Sequence, residues 1–348
     1  MSMREKGQNM KTLWESLGPE KFHQKIVEVM DGDKPLMAPE DFSVQEIYEA
    51  VDPTAFPTIT GLLISKKVMD AYTKAPVVGR SLVTVFTSSL QVDRVTGFTE
   101  TGDMRKLIPG EPYPHIADIG EKWVQIEGDK YGKILDVLEE TVKFDQTGKL
   151  LMRAAAIGEG AAMFQEKHIM NTIQDVTGYE AYYPSNAQAT LYSGGHSNQI
   201  TDVLQDWTDL DAARLILSAQ TDEKGDPILL LAGTILTPDA LNTTAVRLYR
   251  NTAMPGAANA EENPFKNRFN PVSSPYLDLQ STTAWYLGDF KKQYAWKEVF
   301  PLTVQTRKSN DNEAAWERDV LASFKVRYFG DCGALDYRFV AKSTGAGS

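Results

Sequence analysis

Residues 149–175 read KLLMRAAAIGEGAAMFQEKHIMNTIQD, and the reading of this stretch decides the rest of the chain. Leu150, Ala154, Ile157, Ala161 and Phe164 recur at steps of four and three, one face of an α-helix. A second stripe (Leu151, Ala155, Gly158, Ala162, Ile169, Ile173) runs beside the first. A turn cluster at 145–148, DQTG, precedes the stretch, and the signal to stop lies at 175–178. A helix of this length spans about 39 Å at roughly 1.5 Å per residue. An ordinary globular helix has about 11–12 residues. Gly158 and Gly160 each cost about 1 kcal/mol relative to Ala in a helix interior. Small residues at that cost predict close approach of another backbone, with Ile157 and Phe164 packing beside them. A long enzyme core helix is the plain reading. A spine under a thin, plate-like subunit is the sharper one.

Working outward, the segments on both sides are strand-like or loop-like. Upstream, 82–90, 122–126 and 133–142 carry β-branched residues and alternation. Between the first two lies 96–120, TGFTETGDMRKLIPGEPYPHIADIG, rich in Gly, Pro and charge. A loop of this length without periodicity usually has a function, and burial would strand its backbone polar groups, so it is expected to project. Within it Glu111 stands between Gly110 and Pro112, with Lys106 and Tyr113 nearby. Residues 1–80 hold too few apolar residues to close a core and read as an arm.

Downstream, the pattern becomes helix, strand, helix. A helix capped by Thr208 or Asp209 runs to 218. The run 228–232, ILLLA, reads as a buried strand. Thr237-Pro238-Asp239 opens a helix ending near 251, with Thr at the cap and Pro in the first turn. Strands are expected at 284–287 and 293–299. In the last ones Val320, Ala322, Phe324, Val326 and Tyr328 alternate, with Lys325 and Arg327 between them, and then Leu335, Tyr337 and Phe339 alternate likewise.

The totals narrow the function. The 348 residues carry 47 acidic against 36 basic side chains, a formal charge of −11. Proteins that grip nucleic acid by its phosphates show the opposite balance. A single cysteine, Cys332, excludes an intrachain disulfide and a thiolate metal cluster. The opening MSMREKGQNMK lacks the apolar core of a signal peptide, and no aliphatic run approaches bilayer length. A soluble protein made in a reducing cytoplasm is expected, with residues 1–50 retained.

The search for chemistry yields no catalytic, cofactor or metal site. His23, His115, His168 and His196 have no partners at metal-ligand spacing. Gly195-His196-Ser197-Asn198 lacks the second Gly of a nucleophile elbow and reads as a turn. Gly158-Glu159-Gly160 lies inside a helix, with Met163 where a dinucleotide fingerprint needs its third Gly. Glu139-Glu140 and Glu261-Glu262 are adjacent pairs whose side chains diverge.

The order of these elements resembles the major capsid proteins of tailed bacteriophages, the Hong Kong phage-type fold. The resemblance covers about residue 50 onward. Pro109-Gly110-Glu111-Pro112-Tyr113-Pro114 carry it first, then Lys130-Tyr131-Gly132-Lys133 and Phe144-Asp145 before the spine. Gly195-His196-Ser197-Asn198, Asn270-Pro271-Val272, Trp285-Tyr286-Leu287 and Phe324-Lys325-Val326-Arg327 follow. The resemblance implies an α+β fold divided into an N-terminal arm (1–78), a projecting two-stranded extended loop (79–130), a peripheral domain with the spine helix and its β-sheet (131–198), an α/β axial domain (199–299) and returning peripheral strands (300–348). It also implies a structural subunit and no enzyme. Copies would join in hexamers and pentamers of an icosahedral shell around double-stranded DNA, in a virion capsid assembled in the bacterial cytoplasm. Implied partners are the chain itself, portal and scaffolding proteins, possible decoration proteins, and DNA enclosed without sequence-specific binding. Lys106, Gly110, Glu111 and Tyr113 would meet a neighbouring subunit. Some relatives crosslink loop lysines to asparagines, but no motif here identifies an Asn or Glu partner for Lys106. Residues 1–50 would be an arm extension or a built-in scaffold. An encapsulin-type compartment shell is the alternative within the fold, and a soluble α/β hydrolase using carboxylates the alternative outside it.

Overall fold

The computed structural model describes residues 56–96, 106–109, 112–113, 123–140, 149–176, 191–222, 225–251, 263–308 and 319–347. The chain divides into two compact units. The first comprises Met1–Pro76, Lys130–Met163 and Phe300–Phe329, and the second Val77–Asp129, Phe164–Val299 and Gly330–Ser348.

In the first unit, helix α1 (Phe56–Lys74) buries Leu63, Ile64 and Val68. The strands are β4 (Asp129–Leu138), the later part of β9 (Tyr294–Lys308) and the start of β10 (Val320–Ala334), in the order β9-β10-β4. Strand β10 forms because its apolar residues fall on every second position: Val320, Ala322, Phe324, Val326 and Tyr328 are all buried. Tyr131 packs on Tyr328 at 5.3 Å, and the Ser323 hydroxyl donates to Asp136 at 2.6 Å, which ties β4 to β10.

The long helix is observed as α3, Lys149–Gln174. Its end has a physical cause. Asp175 takes a left-handed φ of 59°, Asp175 N–H returns to the Thr172 carbonyl, and Val176 N–H returns to that of Asn171. These paired bonds satisfy carbonyls that the last turn would leave open.

The second unit is built on a five-stranded sheet ordered β5-β11-β8-β6-β7: β5 (Gln199–Ile200), β11 (Val340–Ser343), β8 (Trp285–Gly288), β6 (Thr234–Thr237) and β7 (Asn270–Ser273). Helix α4 (Trp207–Ser218) packs on β11 and β8, and α5 (Asp239–Arg250) packs on β6 and β7. Leu210, Leu217, Ile235, Leu248, Phe265, Phe269 and Trp285 fill the core between them. The buried Trp285 indole donates to the Asp202 carbonyl at 3.0 Å. The same unit contains the short helices α2 (Gly79–Leu82) and α6 (Phe290–Gln293). Strand β1 (Thr84–Thr87) pairs in parallel with the start of β9, and β2 (Val92–Thr96) pairs antiparallel with β3 (Trp123–Glu127).

Four local expectations are corrected. The run 228–232 forms no strand. Leu229 and Leu231 are 85% and 74% exposed, and the strand comes after Gly233, at Thr234–Thr237. Hydrophobicity alone placed it six residues early. Helix α4 is capped by Asp206, whose carboxylate accepts from Thr208 N–H while Asp209 accepts from Asp206 N–H, a reciprocal capping box. Helix α5 has Pro238 at its cap without a side-chain bond. Thr237 ends β6 instead, and Asp278 accepts from Asp239 N–H at 3.0 Å. Position 82 closes the helical turn α2, so the strand expected at 82–90 shrinks to Thr84–Thr87.

Candidate assembly elements

The segment that the sequence marks as projecting connects β2 to β3, and the paired ends of those strands are built around Lys297. This side chain is fully buried on β9. An ammonium has three donors and no acceptor. Here it meets the Asp93 carboxylate at 2.9 Å, the Gln91 carbonyl at 2.9 Å and the Ile126 carbonyl at 3.2 Å. Two of these partners come from the β2 side and one from β3. A Ser88 hydrogen bond and the Lys297 ammonium hold the Asp93 carboxyl below its ordinary range. Val124 and Ile126 pack on Ala295, joined by Phe86, Val95 and Leu335. Arg94 lies over the Trp123 ring at 4.2 Å. A Cβ on Gly333 would sit 2.7 Å from Ile126, so this position accepts only Gly without rearrangement.

A second anchor uses Glu166, buried on α3. Its carboxylate accepts from Gly79 N–H at 2.5 Å, Val78 N–H at 3.1 Å and the Ser274 hydroxyl at 3.0 Å. Burial pushes its pKa up, while those three donors pull it back. A Cβ on Gly79 would lie 2.6 Å from the carboxylate oxygen, which explains the Gly. Arg80 pairs with Glu298 at 3.1 Å, and buried His168 pairs with Asp331 with its ring edge-on to Trp296. The Gly-His-Ser-Asn turn is also a fastener. His196 stacks on Tyr337 at 4.1 Å, and the buried Asn198 amide donates to the Leu191 and Tyr337 carbonyls, both at 2.9 Å. These groups hold backbone together. Burial pushes the Cys332 thiol far up, away from its nucleophilic form. Among the described residues no group of three or more His, Cys, Asp or Glu could hold a metal ion, and no helix is long and apolar enough to cross a membrane.

The family model for phage capsid protein matches residues 123–343, more than half of the chain. The chain belongs to the phage capsid protein family. It is therefore a structural protein of a virion capsid, and capsid subunits associate with their own kind. No curated protein matches it in sequence. Among solved structures it is similar to the capsid of a native GTA particle at 10% identity, covering 77% of this chain and 89% of that one, with a TM-score of 0.50. It is also similar to a structure from Mycobacterium phage Che8 at 13% identity (79% and 93% covered, TM-score 0.49) and to a virus-like particle from Pyrococcus furiosus at 10% identity (80% and 97% covered, TM-score 0.46). The first of these supports the capsid fold.

The assembly residues marked in the sequence fall as follows in this capsid subunit. Lys106 is exposed, and Tyr113 and nearby Ile108 are 83% and 72% exposed. Gly110 and Glu111 lie outside the described residues. On the spine, a Cβ on Gly158 would lie 2.2 Å from the Val68 carbonyl oxygen and 3.1 Å from Ala71, so α1 crosses there at backbone distance. Gly160 meets nothing within 4 Å. Ile157 is half-buried and Phe164 exposed. Lys297, Glu166 and Asp331 escaped sequence reasoning. The one available signal was a charged residue inside an apolar run, as in Tyr294-Ala295-Trp296-Lys297.

Proposed function

We propose that the chain is the major subunit of a closed icosahedral shell, associating as hexamers and pentamers around double-stranded DNA. The observation that carries this reading is membership of the capsid family together with the exposed apolar side chains Ile108 and Tyr113 between β2 and β3. Large apolar groups presented to water suit a second copy. In this reading Lys106, Gly110, Glu111 and Tyr113 meet the neighbouring subunit. Portal, scaffolding and decoration proteins are the further partners, assembly takes place in the host cytoplasm, and the subunit catalyses nothing. The test is electron microscopy with light scattering on the purified full chain. Rings or closed particles are expected. A monomer at every concentration and salt would end the reading, and particles filled with a cargo protein instead of DNA would move it to a compartment shell. Glu111→Lys should fold normally by circular dichroism yet form no regular shells, because losing one partner of a desolvated interfacial pair typically costs about 2–5 kcal/mol.

A further inference from the structure

The two edges of the five-stranded sheet carry opposite charge. On the β5 side, the chain passes from Gln199–Ile200 into a run containing Asp202, Asp206, Asp209 and Asp211, then α4, then a tight hairpin bearing Asp222 and Asp226. The hairpin is pinned to this edge. Gln220 donates through its side chain to the His196 and Ser197 carbonyls, at 3.2 and 2.9 Å, and its own carbonyl accepts from Ile228 N–H. On the β7 side, Arg247 and Arg250 are exposed in the last turn of α5. Asn267 N–H bonds to the Tyr249 carbonyl, which draws in the turn that carries exposed Arg268 over the Phe265 and Phe269 rings and leads into β7. Glu261 and Glu262 precede this turn in sequence, and the region stays net basic even with them counted.

A ring of more than two identical subunits needs a heterologous interface, in which two different patches of one chain complement each other. Opposite charges on opposite edges of one sheet meet that requirement. We propose that Arg247, Arg250 and Arg268 at the β7 edge dock against the Asp222–Asp226 hairpin at the β5 edge of a second copy, closing the capsomer ring head to tail. Exposed Leu229, one residue beyond the pinned root, supplies apolar area beside the acidic hairpin. The charge pattern selects the neighbour and fixes the direction around the ring.

This inference rests on the capsomer reading, and the experiment separates the two. Full-length chains are followed by native mass spectrometry and light scattering, with melting curves to check folding. Arg247→Glu/Arg250→Glu should lose the ring peak. Asp222→Asn/Asp226→Lys should lose it too, the Asn retaining the oxygen that accepts from Asp226 N–H. Uniting all four changes in one chain should restore rings to at least half the wild-type yield. Mixing the two variants should restore six-membered rings, in which they alternate, and no five-membered ones, because alternation closes only on an even number. Arg250→Gln alone should shift ring dissociation to lower salt. Either double variant assembling as wild type does, or normally melting chains that fail to recover when combined or mixed, overturns the pairing and leaves the capsomer reading standing. A wild-type chain that forms no ring at all overturns both.

Discussion

The two halves of helix α3 are one continuous element, yet they face different physical problems. Up to Phe164 the helix keeps a wet side: Met152 is 68% exposed, Met163 and Phe164 are also exposed, and Gly160 is open. From His168 to Gln174 every residue is buried. The first half needs one apolar stripe and one close crossing, at Gly158. The second half has no outward side on which to place polar groups, so each needs a partner. Glu166 takes two N–H groups and a hydroxyl, His168 takes Asp331, Thr172 donates to the His168 carbonyl, and Gln174 donates to that of Tyr276. The lesson is that helical period locates an element, while burial of its polar residues shows how much surrounds it.

Substitutions can break that comparison. Glu166→Ala should have the largest effect. It leaves the half-buried donor at Val78 and the buried donors at Gly79 and Ser274 unsatisfied, each of the buried ones a desolvation cost of about 1–3 kcal/mol, and denaturant unfolding should show a total loss of at least about 2 kcal/mol. A loss under 1 kcal/mol would mean that water replaces the carboxylate. Gly158→Leu comes next, with about 1–3 kcal/mol lost to overpacking against Val68 and Ala71. Gly160→Ala should act in the opposite direction, gaining up to about 1 kcal/mol in helix propensity, because a methyl there meets nothing. Equal effects at the two glycines would erase the distinction between a crossed and an open face.

Titration sharpens it further. The Glu166 carboxyl is raised by burial, so the folded state holds its proton more tightly than the unfolded chain does. Its contribution is fully present below the ordinary carboxyl range and declines as pH rises through the raised value. Thermal melts across mildly acidic pH should show that decline in the wild type and not in Glu166→Gln. Asp93 runs the other way: it is held low, so its contribution is present above the ordinary carboxyl range and is lost as pH falls. The smallest effect belongs to Met152→Ala on the exposed half, expected within about 0.5 kcal/mol.

The sequence made α3 legible within a residue at each end, because a four-and-three apolar rhythm and a run of terminating residues are both local. The alternation of β10 was equally plain. The segment at 228–232 misled because a short aliphatic run has no direction of its own. Leu229 and Leu231 meet water, and only tertiary pairing with β8 and β7 selects Thr234–Thr237 as the strand. Lys297 and Glu166 were invisible for a related reason. Their partners are far away along the chain, and a lone Lys or Glu in a pattern looks like a solvated residue until folding brings Asp93 or Gly79 against it.

Lys297 has one more consequence, which concerns length. Its ammonium grips both legs of the β2–β3 hairpin, through Gln91 and Asp93 on one and Ile126 on the other. If one leg slipped past its partner by a single residue, about 3.4 Å, Asp93 and Ile126 would move in opposite senses and a grip would be lost. The buried lysine is therefore a stop on a sliding rule. It sets how many residues of the chain separate the paired ends Thr96 and Trp123.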